Sequence, residues 1–261
     1  MLPEFKKSKE YKRYKFMQIN NSGIFDININ QTVFKMLMVN NDDTSIIDSI
    51  VGNVFPSKGL LHWEHWTKKY PGIFIDVGAH TGIFTLLGLQ SNQKNYLITI
   101  EPLPINYYRI LTNLRLNNYT NKRFLAINKA VSNEDKTVKF KIHSDQTYLS
   151  KGGKISEKGI DVHSIKLDNL IFKNLKHNIC GLKIDTEGED LNVLFGAEGL
   201  IKKFSPKILI EVRKKNLYEI INFLSKLGYN HFYENEKNES EEILTKFENE
   251  DSNKDICAEK I

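Results

Sequence analysis

Phe74-Ile75-Asp76-Val77-Gly78-Ala79-His80-Thr81-Gly82 decides the fold. An apolar strand ends in an acid and runs into a glycine turn that opens a helix. In the first βα unit of a doubly wound sheet this arrangement surrounds a small ligand with backbone N–H groups and a helix N-terminus. The stretch therefore predicts a nucleotide or cofactor pocket.

What is missing narrows the ligand. A dinucleotide fingerprint needs glycines spaced G-x-G-x-x-G so that the backbone can approach a pyrophosphate. Only Gly78 and Gly82 stand here, and no G-x-x-x-x-G-K-[ST] follows any strand, which excludes a P-loop. Asp76, where strand meets loop, would repel a diphosphate and attract an ammonium group. S-adenosylmethionine carries a sulfonium and an α-ammonium but no phosphate, and fits this description better than NAD or ATP. A second acid, Glu101, ends the β-branched run Tyr96-Leu-Ile-Thr-Ile100. It lies near the spacing at which such an acid meets ribose hydroxyls, and a carboxylate can accept both hydrogen bonds of a cis-diol. Its competing reading is an exposed acid before a proline-led helix start.

From Tyr70-Pro71-Gly72 onward strands and helices alternate. The pattern predicts strands at Ile73–Val77, Tyr96–Ile100, Arg123–Asn128, Thr137–Ile142, Ile160–Leu167, Ile179–Ile184, Lys207–Val212 and Tyr229–Tyr233. Helices are expected at Thr81–Gln90, Pro104–Asn118, Glu189–Phe204 and Asn216–Leu227, with a short one capped by Asp168 and a loop over His143–Gly159. This is an α/β chain with a mostly parallel, doubly wound sheet. Residues 71–233 form its core domain. Residues 1–70 are an N-terminal extension of strands over Gly23–Val39 and helices at Asp42–Val51 and Leu60–Lys69, suited to a lid or substrate wall. Residues 234–261 read as a polar tail with a candidate edge strand near Ile243–Phe247.

The chain's 261 residues allow one sizeable α/β domain with additions. Its net charge of +5 is mild and does not point to nucleic acid. The basic segment Lys6–Lys15 reads as a solvated arm, with contact to a membrane surface or an acidic polymer as the alternative. The sequence has no apolar run of membrane-spanning length and no apolar signal core near Met1, so a soluble, cytoplasmic protein is expected. Cys180 and Cys257 lack metal-like spacing with His, and Cys180 reads as a small core residue.

The second informative stretch is Leu182-Lys-Ile-Asp-Thr-Glu-Gly-Glu-Asp190. Asp185 ends a strand and Glu187 lies two positions on, so an extended backbone would turn both carboxylates to one side, at the rim where open α/β sheets bind ligands. The pair suits a general base or a divalent metal site, Mg²⁺ for example. Glu189 and Asp190 read as acids favoured by a helix dipole. Glu211 closes the run Ile208-Leu-Ile210 and would reach the same rim, or be a strand-end surface acid. His143 and His163 are alternative bases.

Taken in order, Phe74–Gly82, Glu101-Pro-Leu-Pro-Ile-Asn106 with Asn113 and Leu116-Asn117, Ala130-Val-Ser132, Leu167-Asp168, Leu182–Glu189 and Pro206-Lys-Ile-Leu-Ile-Glu211 resemble the FkbM family of S-adenosylmethionine-dependent methyltransferases. The likeness spans roughly residues 71 to 212. His80-Thr81 stands where the family often has Asn-Ile, and Thr186 where it often has Val. The resemblance implies a class I methyltransferase fold and O-methylation of a sugar, glycan or polyketide hydroxyl. On the matching positions it implies cofactor contacts at Asp76, Gly78, Ala79, His80, Gly82, Glu101, Pro102, Asn106 and Ala130, with Asp185, Glu187 and Glu211 as catalytic candidates. Two other readings compete. A ribose 2′-O-methyltransferase could use Lys183, Asp185 and Glu211, but no dense basic stripe or aromatic RNA platform accompanies them. A non-catalytic module could bind the cofactor or a glycan without turnover.

Overall fold

The computed structural model describes residues 21–51, 56–142, 153–170, 178–234 and 254–261, together with 12, 15, 16, 18 and 19. In chain order the N-terminal part contributes β1 (Gly23–Ile29), β2 (Thr32–Met38), α1 (Thr44–Val51) and α2 (Lys58–Lys69). Next come β3 (Ile73–Val77), α3 (Ile83–Ser91), β4 (Tyr96–Ile100), α4 (Pro104–Leu116) and β5 (Phe124–Ile127). A smaller sheet uses β6 (Ala130–Val131), β7 (Lys136–Ile142), β8 (Gly153–Ser156) and β9 (Ile160–Ile165). The chain closes with β10 (Ile179–Ile184), α5 (Asp190–Phe195), α6 (Glu198–Phe204), β11 (Lys207–Val212), α7 (Leu217–Lys226), β12 (His231–Tyr233) and β13 (Lys254–Glu259).

β3 lies between β10 and β4 in the interior of a seven-stranded sheet ordered β12-β13-β11-β10-β3-β4-β5 and is buried along its whole length. Numbered by their appearance in the chain, these strands read 3-2-1-4-5-7-6 from the β5 edge, and β13 alone runs antiparallel to its neighbours. This is the class I methyltransferase arrangement. Strand order reverses between β3 and β10, and a crevice at that switch point is where doubly wound sheets hold ligands.

Alternation along the strands sorts the core into two layers. Ile73, Ile75 and Val77 join Leu182, Ile184, Ile208 and Ile210 beneath α5, α6 and α7. Phe74, Leu97 and Leu209 face the other way, onto Trp63 and Trp66 of α2, Leu86 and Leu87 of α3, and Ile27, Phe34 and Met36 of the β1–β2 hairpin. The N-terminal segment therefore shares the core of the sheet's second face. Polar ties reinforce this packing. Arg109 of α4 donates to both carboxylate oxygens of the fully buried Asp42, at 2.8 and 3.2 Å, and to the Leu37 carbonyl at 2.9 Å. Asn113 accepts from Leu37 N–H at 2.8 Å and donates to the Thr81 carbonyl at 2.9 Å.

Several elements differ from the sequence expectation. The helix after the glycine loop begins at Ile83 rather than Thr81. The helix read as Glu189–Phe204 is two, α5 and α6, broken at Gly196. A Cβ on Gly196 would lie 2.2 Å from the Ser132 carbonyl oxygen, so the break marks a close backbone approach. Asp168 does not cap a helix of its own. It lies in a short 3-10 turn, Leu167–Asn169, and its carboxylate accepts from Gly199 N–H and Leu200 N–H at 2.9 and 2.8 Å, capping α6 from 31 and 32 positions away in sequence. Part of the expected His143–Gly159 loop is β8, paired antiparallel with β7. The edge strand read near Ile243–Phe247 lies outside the described residues, as does most of Lys6–Lys15. The strand that does pair near the C-terminus is β13, between β11 and β12. Among the described residues, no helix is long and apolar enough to cross a membrane.

Breaking a buried ion pair by removing one partner leaves an uncompensated charge. Arg109→Met should therefore lower stability by about 3 kcal/mol, because it removes the guanidinium that meets both oxygens of the buried Asp42 carboxylate. Urea unfolding followed by tryptophan fluorescence measures this, and a loss under about 1 kcal/mol would show that the tie contributes little.

Candidate active site

β3 and β10 carry the site because their carboxyl ends sit side by side. Gly78 leaves β3 with φ +71°, and a Cβ on it would stand 1.8 Å from the Asp185 carbonyl oxygen. Glycine here permits two strand ends to touch. The loop also spends its donors internally: Gly78 N–H and Ala79 N–H both reach the Ile100 carbonyl, at 3.0 and 3.1 Å, and Gly82 N–H bonds the Ala79 carbonyl at 2.8 Å. His80, held in the left-handed region at φ +53°, donates its N–H to Glu101 Oε2 at 2.9 Å. The expectation that the loop aims these N–H groups at a ligand is therefore corrected, since their partners are the end of β4, the Ala79 carbonyl and Glu101.

A cavity of about 390 Å³ opens over this junction. Gly78, His80, Glu101, Pro102 and Ala130 line it, together with Asp185, Thr186, Glu187 and Glu189. Asp42, Thr44 and Ser45 contribute from the N-terminal segment, and Phe140, Gly153 and Ile155 from the smaller sheet. Glu101 is almost fully buried and fixed by Leu103 N–H at 3.0 Å, His80 N–H and the Asn106 amide at 3.5 Å. Burial pushes its carboxyl up, and the nearby His80 and these donors pull it back.

Four of the expected residues stand behind the cavity wall. Ala79 and Gly82 shape the loop, Asn106 braces Glu101, and Asp76 is wholly buried. Asp76 accepts from Thr85 Oγ at 2.7 Å and faces Lys183 Nζ at 3.5 Å, so the ammonium it attracts is the protein's own. Burial pushes the Asp76 carboxyl up against the pull of Lys183. Burial alone would lower the Lys183 ammonium, but Asp185, Asp76 and Asp255 more than offset this and hold it above the ordinary lysine value.

The paired-carboxylate premise also changes. β10 ends at Ile184, and Glu187 turns at φ +57°, so the backbone between Asp185 and Glu187 is not extended. Asp185 Oδ2 faces Lys183 at 3.4 Å, whereas Glu187 faces Arg213 at 3.4 Å. Asp190 braces this turn. It is buried, accepting from Thr186 N–H and Oγ at 2.8 Å each and from Gly188 N–H at 3.1 Å. Glu189 accepts from Ser132 and Asn192, at 3.0 and 2.9 Å. A divalent ion does not suit this donor set, because each candidate carboxylate already faces a protein cation. Among the described residues, no group of three or more His, Cys, Asp or Glu side chains could hold a metal. Glu211 does not line the cavity and sits in register with Asp255 of β13. His163 bonds Thr137 on the smaller sheet, away from the cavity, and His143 lies outside the described residues.

Residues 76–230 match the family model described as a methyltransferase FkbM domain. The chain belongs to the FkbM methyltransferase family. No curated protein matches it. Similar solved structures include a methyltransferase FkbM from Methylobacillus flagellatus KT (17% identity, TM-score 0.48), of which the chain covers 55% while 83% of the chain is covered. They also include a precorrin-6y C5,15-methyltransferase from Geobacter metallireducens GS-15 (10% identity, TM-score 0.44; 77% of this chain, 85% of that one). A third is M. jannaschii TYW2 in complex with AdoMet (14% identity, TM-score 0.43; 93% of this chain, 89% of that one). The family match excludes Asp42, Thr44, Ser45 and Asp255; the sequence reading placed the first three in a segment suited to a lid or substrate wall without naming them as site residues, and passed over Asp255.

Asp255 is the missed group with the clearest consequence. Burial, and after it Asp185, pushes its carboxyl up to about 6, against the pull of Lys183, with Glu234 adding a further push. A carboxyl raised on folding contributes stability at low pH that is lost as pH rises through the folded value. Asp255→Asn removes that loss, so its stability relative to the native chain should rise by about 2 kcal/mol between about pH 4 and about pH 8. Thermal or urea unfolding at the two pH values measures it; a pH-independent difference contradicts this environment for Asp255.

Proposed function

We propose that this FkbM-family chain binds S-adenosylmethionine and moves its methyl group to a hydroxyl of a sugar, glycan or related natural product. One observation carries the reading: a single cavity joins the Gly78–His80 loop and Glu101 to Asp185. Among the described residues that line it, Glu101 and Glu189 are in no ion pair, whereas Asp42, Asp185 and Glu187 face Arg109, Lys183 and Arg213; the two unpaired carboxylates favour a cationic ligand over a phosphate. About 390 Å³ falls within the range of small-ligand pockets.

When bound, the donor supplies an electrophilic methyl carbon on a sulfonium. Glu101 holds the ribose hydroxyls, since its buried carboxylate is already oriented by Leu103 and His80 and keeps lone pairs toward the cavity. Pro102, Ile100 and Val131 give the apolar wall that a purine needs. A sugar hydroxyl is less acidic than a phenol, whose pKa is about 10, so a base must take its proton. Asp185 fills that role: it lines the cavity, and Lys183 restrains one of its two oxygens while the other is open to an acceptor. Glu187 is committed to Arg213 and shapes the mouth. The acceptor meets the hydroxyls of Thr44 and Ser45, from a segment outside the family match.

Incubation with methyl-labelled S-adenosylmethionine and a panel of glycosides, glycans, polyketide alcohols and RNA tests this. Label should appear on a sugar or natural-product hydroxyl. Asp185→Asn should lower turnover by about a hundredfold or more while affinity for S-adenosylhomocysteine changes little. Label on RNA alone would replace the acceptor class, and equal turnover by the variant would remove Asp185 as base.

A further inference from the structure

A lysine in an otherwise apolar strand is costly to bury unless partners surround it. Lys183 is 4% exposed. Its ammonium donates to the Gly78 carbonyl at 2.9 Å and the Val77 carbonyl at 3.4 Å. Asp76 stands 3.5 Å away, Asp185 3.4 Å, and the centre of the Phe84 ring 5.1 Å. Asp76 is sealed behind it, whereas Lys183, Gly78, Phe84 and Asp185 all reach the cavity wall. The ammonium is thus a fixed positive charge set into that wall.

Tying Gly78 to β10 would require only a donor. A full charge at this place also acts on any charge in the cavity. When a hydroxyl oxygen takes the methyl group, an O–C bond forms and the S–C bonding pair stays on sulfur. The hydroxyl proton passes to a carboxylate, and the positive charge at sulfur is gone. Only interactions that differ between ground state and transition state accelerate such a step. Carboxylates alone would hold the sulfonium most firmly before it reacts. A fixed cation beside them offsets that hold and weakens as the sulfur loses its charge.

We propose that Lys183 is a specificity-determining residue for the charge state of the donor: it opposes the sulfonium and so balances affinity for S-adenosylmethionine against affinity for the neutral product. The inference rests on the methyl-donor reading above. Its signature is a ratio that simple structural damage leaves alone, namely Kd for S-adenosylhomocysteine divided by Kd for S-adenosylmethionine, measured by calorimetry on the full chain. Lys183→Met should raise the ratio by about fivefold or more, and Lys183→Arg, which keeps the charge, should leave it within about twofold of native. If Lys183→Met does not fold, Asp76→Asn/Lys183→Met removes the buried pair together, and its ratio, read against that of Asp76→Asn alone, should rise by about fivefold or more. Loss of both affinities with an unchanged ratio, or an equal rise in Lys183→Arg, overturns the proposal while leaving the donor reading intact. A native chain that binds neither compound overturns both.

Discussion

The structure depends on the contact between the first turn after β3 and the end of β10. Gly78 sits so close to the Asp185 carbonyl that no side chain fits between them. That closeness brings Lys183 within reach of the Gly78 carbonyl and of Asp76, and sets Asp185 at the cavity's edge. It also explains why the loop's N–H groups turn to Ile100 and Glu101. The loop is clamped between two neighbouring strands, and its chemistry lies in the side chains and carbonyls that it positions.

A second set of ties joins the N-terminal segment to the same loop. Asp43 accepts from Thr81 Oγ and caps α1 through Ser45 N–H and Ile46 N–H, while Asp42 is held by Arg109 and Asn113 bridges Leu37 to Thr81. Thr44 and Ser45 thereby stand at the cavity on a rigid support. Gly78, Glu101 and Asp185 come to the cavity from within the family match, and Asp42, Thr44 and Ser45 from outside it.

Much of the sheet was legible because its strands are buried on both faces and read as short apolar runs between turns, as Ile73–Val77 and Lys207–Val212 do. Acids at strand ends were equally visible. Their partners were not, since Asp76 meets Lys183 across more than a hundred residues and Glu187 meets Arg213 through a left-handed turn. Lys183 did leave a signal: a charged residue inside Ile179–Ile184, two positions before Asp185 and so on the same face. The break at Gly196 and the burial of Lys254–Glu259 depend on which backbone comes near, and local periodicity carries no record of that.

The central claim is that the crevice over Gly78 and Asp185 holds a cationic methyl donor. Titration calorimetry of the native chain with S-adenosylmethionine, and with NAD and ATP as phosphate-bearing controls, tests it most directly. Saturable, one-to-one binding of S-adenosylmethionine and no heat from either control are expected. Absence of that binding, or equal binding of NAD, would contradict it.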